Sequence, residues 1–293
     1  VNVELLADAE RPAGWWLMVG GSEQSFVDLD DPSHLEFEYV QMMSYVVETA
    51  FPDDLPLAAL HLGGGLCTVP RWVADRYPGS KQTVAEVSDE IAAITRSLGS
   101  IARVKLVVDD ALRVLDRTRA GSIDLLVCDV YNGPETETSV YPHDALASAR
   151  AALRDDGLYV CNVSDAAPFG FARTVAATLR GLFAEVVVLV EPAVLRGRRS
   201  GNLVLAAADR GFDLAMLRRR AASGPLRASV LAGGDLAGFV GDATVAYSQA
   251  ELPRSGESPV DPIRLPGATS RATAARSRSS SGTTAPRARG SRA

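Results

Sequence analysis

Between residues 57 and 208 the chain alternates two patterns. Short, nearly unbroken apolar runs occur at Leu57–Leu62, Gln82–Val87, Val104–Val108, Ile123–Asp129 and Leu158–Val163. Between them lie Val69–Tyr77, Asp89–Leu98, Ala111–Arg117, His143–Leu153 and Phe171–Phe183, with one apolar face each. The first set predicts strands buried on both sides, the second helices that cover them. Strands and helices in strict alternation imply a parallel sheet with helices on both faces. Two further runs, Val186–Val190 and Asn202–Ala207, are joined only by a loop containing Arg196-Gly197-Arg198-Arg199. No helix fits between them as a crossover, so they predict an antiparallel hairpin at one edge.

Upstream, Trp15–Val19 and Gln24–Val27 flank Gly20-Gly21, which predicts a β-hairpin in a small N-terminal β-element that also holds Val3–Leu6. Phe37, Val40, Met43 and Val47 recur at helical spacing, which predicts a helix over Leu35–Ala50, started by Asp31-Pro32-Ser33. From Leu252 the chain is rich in Arg, Ser, Thr, Ala, Pro and Gly, lacks periodicity and is expected to be disordered. The expected organisation is an N-terminal hairpin element (1–35), an α/β domain (36–251) and an Arg/Ser-rich tail (252–293). Five parallel strands followed by the hairpin resemble the Rossmann-like class I methyltransferase fold, with a mainly parallel seven-stranded sheet.

Composition narrows the class. The chain has 293 residues, 47% hydrophobic and 23% charged, an ordinary globular balance. No apolar run approaches the roughly 18–20 residues of a bilayer span, and no signal-peptide pattern opens the chain, so a cytoplasmic protein without a membrane partner is expected. The net charge of −6 hides an asymmetry. Residues 252–293 carry eight arginines against Glu257 and Asp261, so the rest of the chain is near −12. An acidic body argues against nucleic acid as a partner and suits a cationic substrate. Cys67, Cys128 and Cys161 form no C-x-x-C pair and do not cluster with His34, His61 or His143. They read as reduced core thiols, and no metal site is expected.

In open α/β sheets ligands sit beyond the carboxyl ends of the strands, so the residues following each strand are the candidates. The first strand leads into Gly63-Gly64-Gly65, a turn whose missing Cβ atoms let a ligand approach the backbone. The second ends at Glu86, 21 residues after Gly65, where a carboxylate accepts from ribose hydroxyls. The third is followed by Asp109-Asp110-Ala111, where an acid can accept from an adenine amino group, cap the next helix, or both. The fourth ends at Asp129, before Val130-Tyr131-Asn132. A carboxylate closing an apolar strand suits an amine, as base or counter-charge.

These residues resemble the spermidine synthase family, the polyamine aminopropyltransferases, over roughly residues 14–208. The likeness runs through Gly21, Gln24-Ser25, Asp30-Asp31, Glu36, the three glycines, Glu86-Val87, Asp110-Ala111, Asp129 and Gly201-Asn202. It implies that Gln24, Gly63, Gly64, Gly65, Glu86, Asp110 and Ala111 hold the cofactor. It further implies that Asp129 deprotonates the attacking amine and that Glu36, Tyr131 and Asn132 face the substrate. The implied co-substrate is decarboxylated S-adenosylmethionine or S-adenosylmethionine, the implied partner a small-molecule amine or other small acceptor, and relatives are commonly dimers or tetramers, which leaves a homodimer open. Three positions depart from the family pattern. Leu66 stands where the family has an aspartate after the glycines. His34-Leu35 stands where it has Tyr-His. Asn132 stands where it has the second aspartate, which binds the far amine of a diamine.

Three functions are therefore in play. The first is aminopropyl transfer to an amine with Asp129 as base. The second is S-adenosylmethionine-dependent methyl transfer, motivated by Leu66. The third is a non-catalytic nucleoside-binding protein that has kept the fold.

Overall fold

The computed structural model describes residues 2–132 and 135–255. The chain opens with β1 (Val3–Ala7), β2 (Gly14–Val19) and β3 (Ser22–Asp28), an antiparallel sheet of three strands rather than the expected hairpin of two. The extra strand forms because Asp8 builds the turn before β2. One carboxylate oxygen accepts from the Glu10 and Arg11 amides at 2.9 and 2.7 Å, and the other from Trp16 Nε1 at 2.7 Å. The Asp8 carboxyl is held below its usual range by the Trp16 hydrogen bond above all, so it stays an acceptor.

Helix α1 spans Glu38–Ala50, starting later than Leu35. Asp31 does not cap it: its carbonyl accepts from the His34 amide in a preceding turn. The later start puts Tyr39 in the first turn.

The main sheet contains β4 (Ala58–Leu62), β5 (Lys81–Glu86), β6 (Val104–Val108) and β7 (Ile123–Cys128). Helices α2 (Thr68–Arg76), α3 (Asp89–Ser97) and α4 (Ala111–Asp116) connect them. A two-rung ribbon, β8 (Tyr131–Asn132) with β9 (Glu135–Thr136), follows β7. The chain continues through α5 (His143–Ala152), β10 (Leu153–Asp165), α6 (Gly170–Leu182), β11 (Glu185–Val190), α7 (Pro192–Leu195) and β12 (Gly201–Ala208). Last come α8 (Leu214–Ser223), β13 (Ser229–Leu231) and α9 (Gly233–Val240), which the apolar pattern did not announce.

The strand order is β13-β11-β12-β10-β7-β4-β5-β6. The α/β class and the parallel core are as expected. The strand count differs: β13 adds an eighth strand antiparallel to β11, so the β11–β12 pair lies inside the sheet rather than at its edge.

The sheet's two faces bury separate sets of side chains, as period-2 alternation requires. Leu60, Leu62, Leu126 and Cys128 face the layer that includes α5 and α6. Ala59, Leu125 and Val127 face α1 and α2. Leu125, Leu126 and Cys128 have no exposed surface, and each buried leucine is worth roughly 1.5–3 kcal/mol of transfer energy. A third cluster joins Leu17 and Val27 of the N-terminal sheet to Leu66 and the α3 residues Ile91 and Ile94. No described helix is long and apolar enough to cross a membrane. The tail anticipated from 252 lies, from residue 256 onward, outside the described residues.

Candidate active site

The site is built on the turn after β4. Gly63 has φ +93°, and a Cβ there would lie 2.1 Å from the Asp129 carbonyl oxygen. Only glycine lets the two strand ends approach this closely. The turn is then tied down on three sides. The Gly64 and Gly65 amides both donate to one Glu86 carboxylate oxygen, at 3.2 and 3.1 Å, while the other oxygen accepts from the Ser88 amide at 2.9 Å. Thr95 Oγ1 donates to the Gly65 carbonyl at 2.7 Å. Ser25 Oγ on β3 accepts from the Leu66 amide at 3.2 Å and bonds Thr68 Oγ1 at 3.0 Å. Thr68 Oγ1 already donates to the Phe26 carbonyl, so Ser25 is the donor in that pair. The N-terminal sheet is thus fastened to the glycine turn.

Beyond the carboxyl ends of β4 to β7 lies a cavity of about 510 Å³, inside the roughly 300–1,000 Å³ usual for small-molecule sites. Gln24, all three glycines, Glu86, Asp110-Ala111, Asp129 and Tyr131 line it. Asp110 also caps α4, its Oδ1 accepting from the Arg113 amide at 3.1 Å. Its neighbour Asp109 lines the cavity too, but is paired with Arg117 at 2.8 Å and Arg113 at 3.6 Å. Glu86 spends three acceptor positions on amides, and a carboxylate has about four, so it retains capacity toward a ligand.

One anticipated position is not brought in. Glu36 is exposed, bonds His34 at 2.8 Å and does not line the cavity. The side chain of Asn132 lies outside the described residues.

Asp129 is partly buried and hydrogen-bonded through both oxygens: Tyr39 donates at 3.0 Å and Asn162 Nδ2 at 3.1 Å. The same amide group donates to the Tyr131 hydroxyl at 2.8 Å, and Tyr131 reaches Asn202 Oδ1 at 3.3 Å. Burial outweighs these donors and pushes the Asp129 carboxyl up to about 6. A carboxylate with that affinity is ionised at neutral pH yet takes a proton far more readily than a solvated aspartate.

Tyr39, His61, Glu137 and Ser139 also line the cavity and were not anticipated. Tyr39 gives the cavity a tyrosine although His34-Leu35 replaces the family's Tyr-His pair. Its contact with Asp129 spans 90 positions, which no local pattern reveals.

Leu66 does not line the cavity. It has no exposed surface and packs with Leu17 and Val27. The position that carries an acid in the family pattern is here an apolar anchor for the N-terminal sheet. Leu66→Asp is accordingly expected to cost about 3–5 kcal/mol, from the lost apolar contacts and an unpaired buried charge. Chemical denaturation of the variant should show a midpoint collapse rather than a gain in ammonium binding.

No protein-family model matches the chain. Over 146 residues, 47% of the chain, it is 27% identical to the polyamine aminopropyltransferase of Neisseria meningitidis, covering 53% of that protein. The chain thus spans about half the length of the curated relatives it matches. The crystal structure of a probable spermidine synthase from Corynebacterium glutamicum superposes with a TM-score of 0.78. It is 30% identical, over 84% of this chain and 92% of that one. A spermidine synthase solved in complex with the transition-state analogue AdoDATO shares the fold, with a TM-score of 0.53 at 16% identity over 73% of this chain and 72% of that one. The extent of the likeness to the Corynebacterium structure, over an α/β sheet fronted by a small N-terminal sheet, makes this chain a divergent member of the spermidine synthase family.

Proposed function

We propose that the protein transfers an aminopropyl group from decarboxylated S-adenosylmethionine to a small amine, with Asp129 as the base. The observation that carries the reading is Asp129 itself: a carboxyl pushed up to about 6, oriented by Tyr39 and Asn162, in one cavity with the glycine turn and Glu86. The amine nitrogen attacks the carbon bonded to the sulfonium. An N–C bond forms as the C–S bond breaks, and its electron pair leaves with sulfur as neutral methylthioadenosine. The proton shed by the amine goes to Asp129. Glu86 would accept from the ribose hydroxyls, Asp110 from the adenine amino group, and Gln24 would contact the sugar region. The protein's share of the rate is orientation of the two reactants and an unprotonated amine. The reading is supported by the family to which the chain belongs and by the analogue-bound structure of the same fold.

A second reading, methyl transfer from S-adenosylmethionine, is favoured by Leu66, because no acid follows the glycines to recognise an aminopropyl ammonium. Product identity separates the two. Incubation with each cofactor and a panel of amines should release methylthioadenosine and no S-adenosylhomocysteine. S-adenosylhomocysteine as the product establishes the second reading instead, and neither product leaves only a binding role.

The pH profile should bear the mark of Asp129. Ionised carboxylate is the active form, so kcat/KM is expected to rise with pH through an apparent pKa near 6. Tyr39 donates to that carboxylate and lowers its pKa, so Tyr39→Phe should move the acidic limb to higher pH. A limb that stays in place, or moves down, contradicts the assignment.

A further inference from the structure

Among the described residues lining the cavity, one buried side-chain polar atom has no hydrogen-bond partner. His61, on β4, is 1% exposed and lines the cavity, and its Nδ1 has no hydrogen-bond partner among the described residues. Its tautomer follows from its neighbours. Gln82 Nε2 donates to the Pro70 carbonyl at 2.9 Å, so Gln82 Oε1 is turned toward His61 Nε2, 2.8 Å away. An amide oxygen only accepts, so Nε2 carries the proton. Burial pushes the imidazole down to about 4, which keeps the ring neutral. Nδ1 therefore holds a bare lone pair, and a buried acceptor left unsatisfied costs about 1–3 kcal/mol.

Its place in the sheet says what would reach it. His61 is in register with Val127 on β7, and Asp129 lies two residues beyond Val127, its amide bonded to the Leu62 carbonyl at 2.8 Å. Alternation puts His61, Val127 and Asp129 on one face, the one turned toward α1 and α2. His61 is thus one rung below Asp129, about 6–7 Å down the strands. Val127 beside it is apolar, as are Val40 and Val69, which line the same cavity.

We propose that His61 anchors the far end of the acceptor amine, its Nδ1 accepting a hydrogen bond from a hydroxyl or other uncharged donor carried about 6–7 Å from the attacking nitrogen. This inference rests on the amine-acceptor reading above and names the acceptor class within it. A neutral imidazole cannot neutralise a buried ammonium. The site therefore selects an amino alcohol over a diamine. A chain of four carbons between nitrogen and oxygen spans the distance.

The test is calorimetric titration of amines into the protein saturated with methylthioadenosine. The probes are 4-aminobutan-1-ol, 1,4-diaminobutane and pentylamine, the last having a methyl in place of the distal donor. Wild type should bind the amino alcohol about tenfold more tightly than pentylamine, the worth of one buried hydrogen bond, and more tightly than the diamine. His61→Leu should reduce the preference over pentylamine to within about twofold, with methylthioadenosine affinity and Tm reported alongside. His61→Asn, which keeps an acceptor at the δ position, should retain much of it and serves if the leucine variant does not fold. Equal or tighter binding of pentylamine or the diamine by wild type overturns the proposal. So does a preference that survives His61→Leu, or the absence of amine binding to a protein that does bind methylthioadenosine. Failure of methylthioadenosine itself to bind instead overturns the nucleoside reading on which the proposal stands.

Discussion

Asp129→Asn is expected to lower turnover by about 10²–10⁴ while making the protein more stable. The loss follows from the base: an amide accepts no proton from the attacking amine at any accessible pH. The gain follows from linkage. The folded protein raises this carboxyl from its ordinary 3.8 to about 6, so the fold favours the protonated form. Stability from that group is fully present below pH ~4 and is lost as pH rises through about 6. A shift of two units corresponds to about 3 kcal/mol. The amide escapes this loss but must reorganise the hydrogen bonds. Asn162 can turn to present its unpartnered Oδ1, so a net gain near 2 kcal/mol, or ~5 °C in Tm, is expected at pH 8. The advantage should shrink as pH falls from 6 toward 4. Melting curves across that range check it, and a variant that is less stable than wild type at pH 8 contradicts the picture of a desolvated carboxylate.

Gly63→Ala should be the most damaging small substitution in the site. The added methyl would sit 2.1 Å from the Asp129 carbonyl oxygen, with φ at +93°. Both obstacles are backbone, so no side-chain rotation relieves them. Separating the ends of β4 and β7 would break the bond from the Asp129 amide to the Leu62 carbonyl. It would also carry Asp129 away from the turn. We expect a destabilisation of about 3–5 kcal/mol, with loss of nucleoside binding in whatever fraction folds. The control is Gly99→Ala, also at positive φ (+95°) but with open space around the added carbon. It should cost about 1–2 kcal/mol and spare binding. Equal urea midpoints for the two variants contradict the close-approach argument.

These effects indicate how much of the site was legible along the chain. Asp129 was, because a lone acid ending an apolar run is costly unless it is used. Glu86 was legible from its spacing after the glycine turn, and Asp110, with its cap on the next helix, from its place after the third strand; the bonds from the turn amides to Glu86 were visible only in three dimensions. Tyr39 was not, because on an apolar helix face a tyrosine reads as core and its partner is 90 positions away. His61 was hidden for a similar reason: within an apolar strand a histidine reads as buried filler, and its unpartnered nitrogen shows only once Gln82 and Pro70 are in place. Leu66 was visible as a departure from the family pattern, but not as a core residue. Its burial depends on Leu17 and Val27 arriving from the N-terminal sheet. The last elements escaped for want of pattern. α8 carries three arginines in a row, and β13 has only three residues.

The central claim is that the cavity beyond the glycine turn is an adenosyl site served by Asp129, and its most direct test is calorimetric titration of methylthioadenosine, decarboxylated S-adenosylmethionine and S-adenosylmethionine into the wild-type protein. Saturable one-to-one binding of methylthioadenosine and of the decarboxylated cofactor is expected. Glu86→Ala should weaken both at least tenfold through the lost ribose contact. No heat from any of the three nucleosides, or binding indifferent to Glu86→Ala, would contradict the claim.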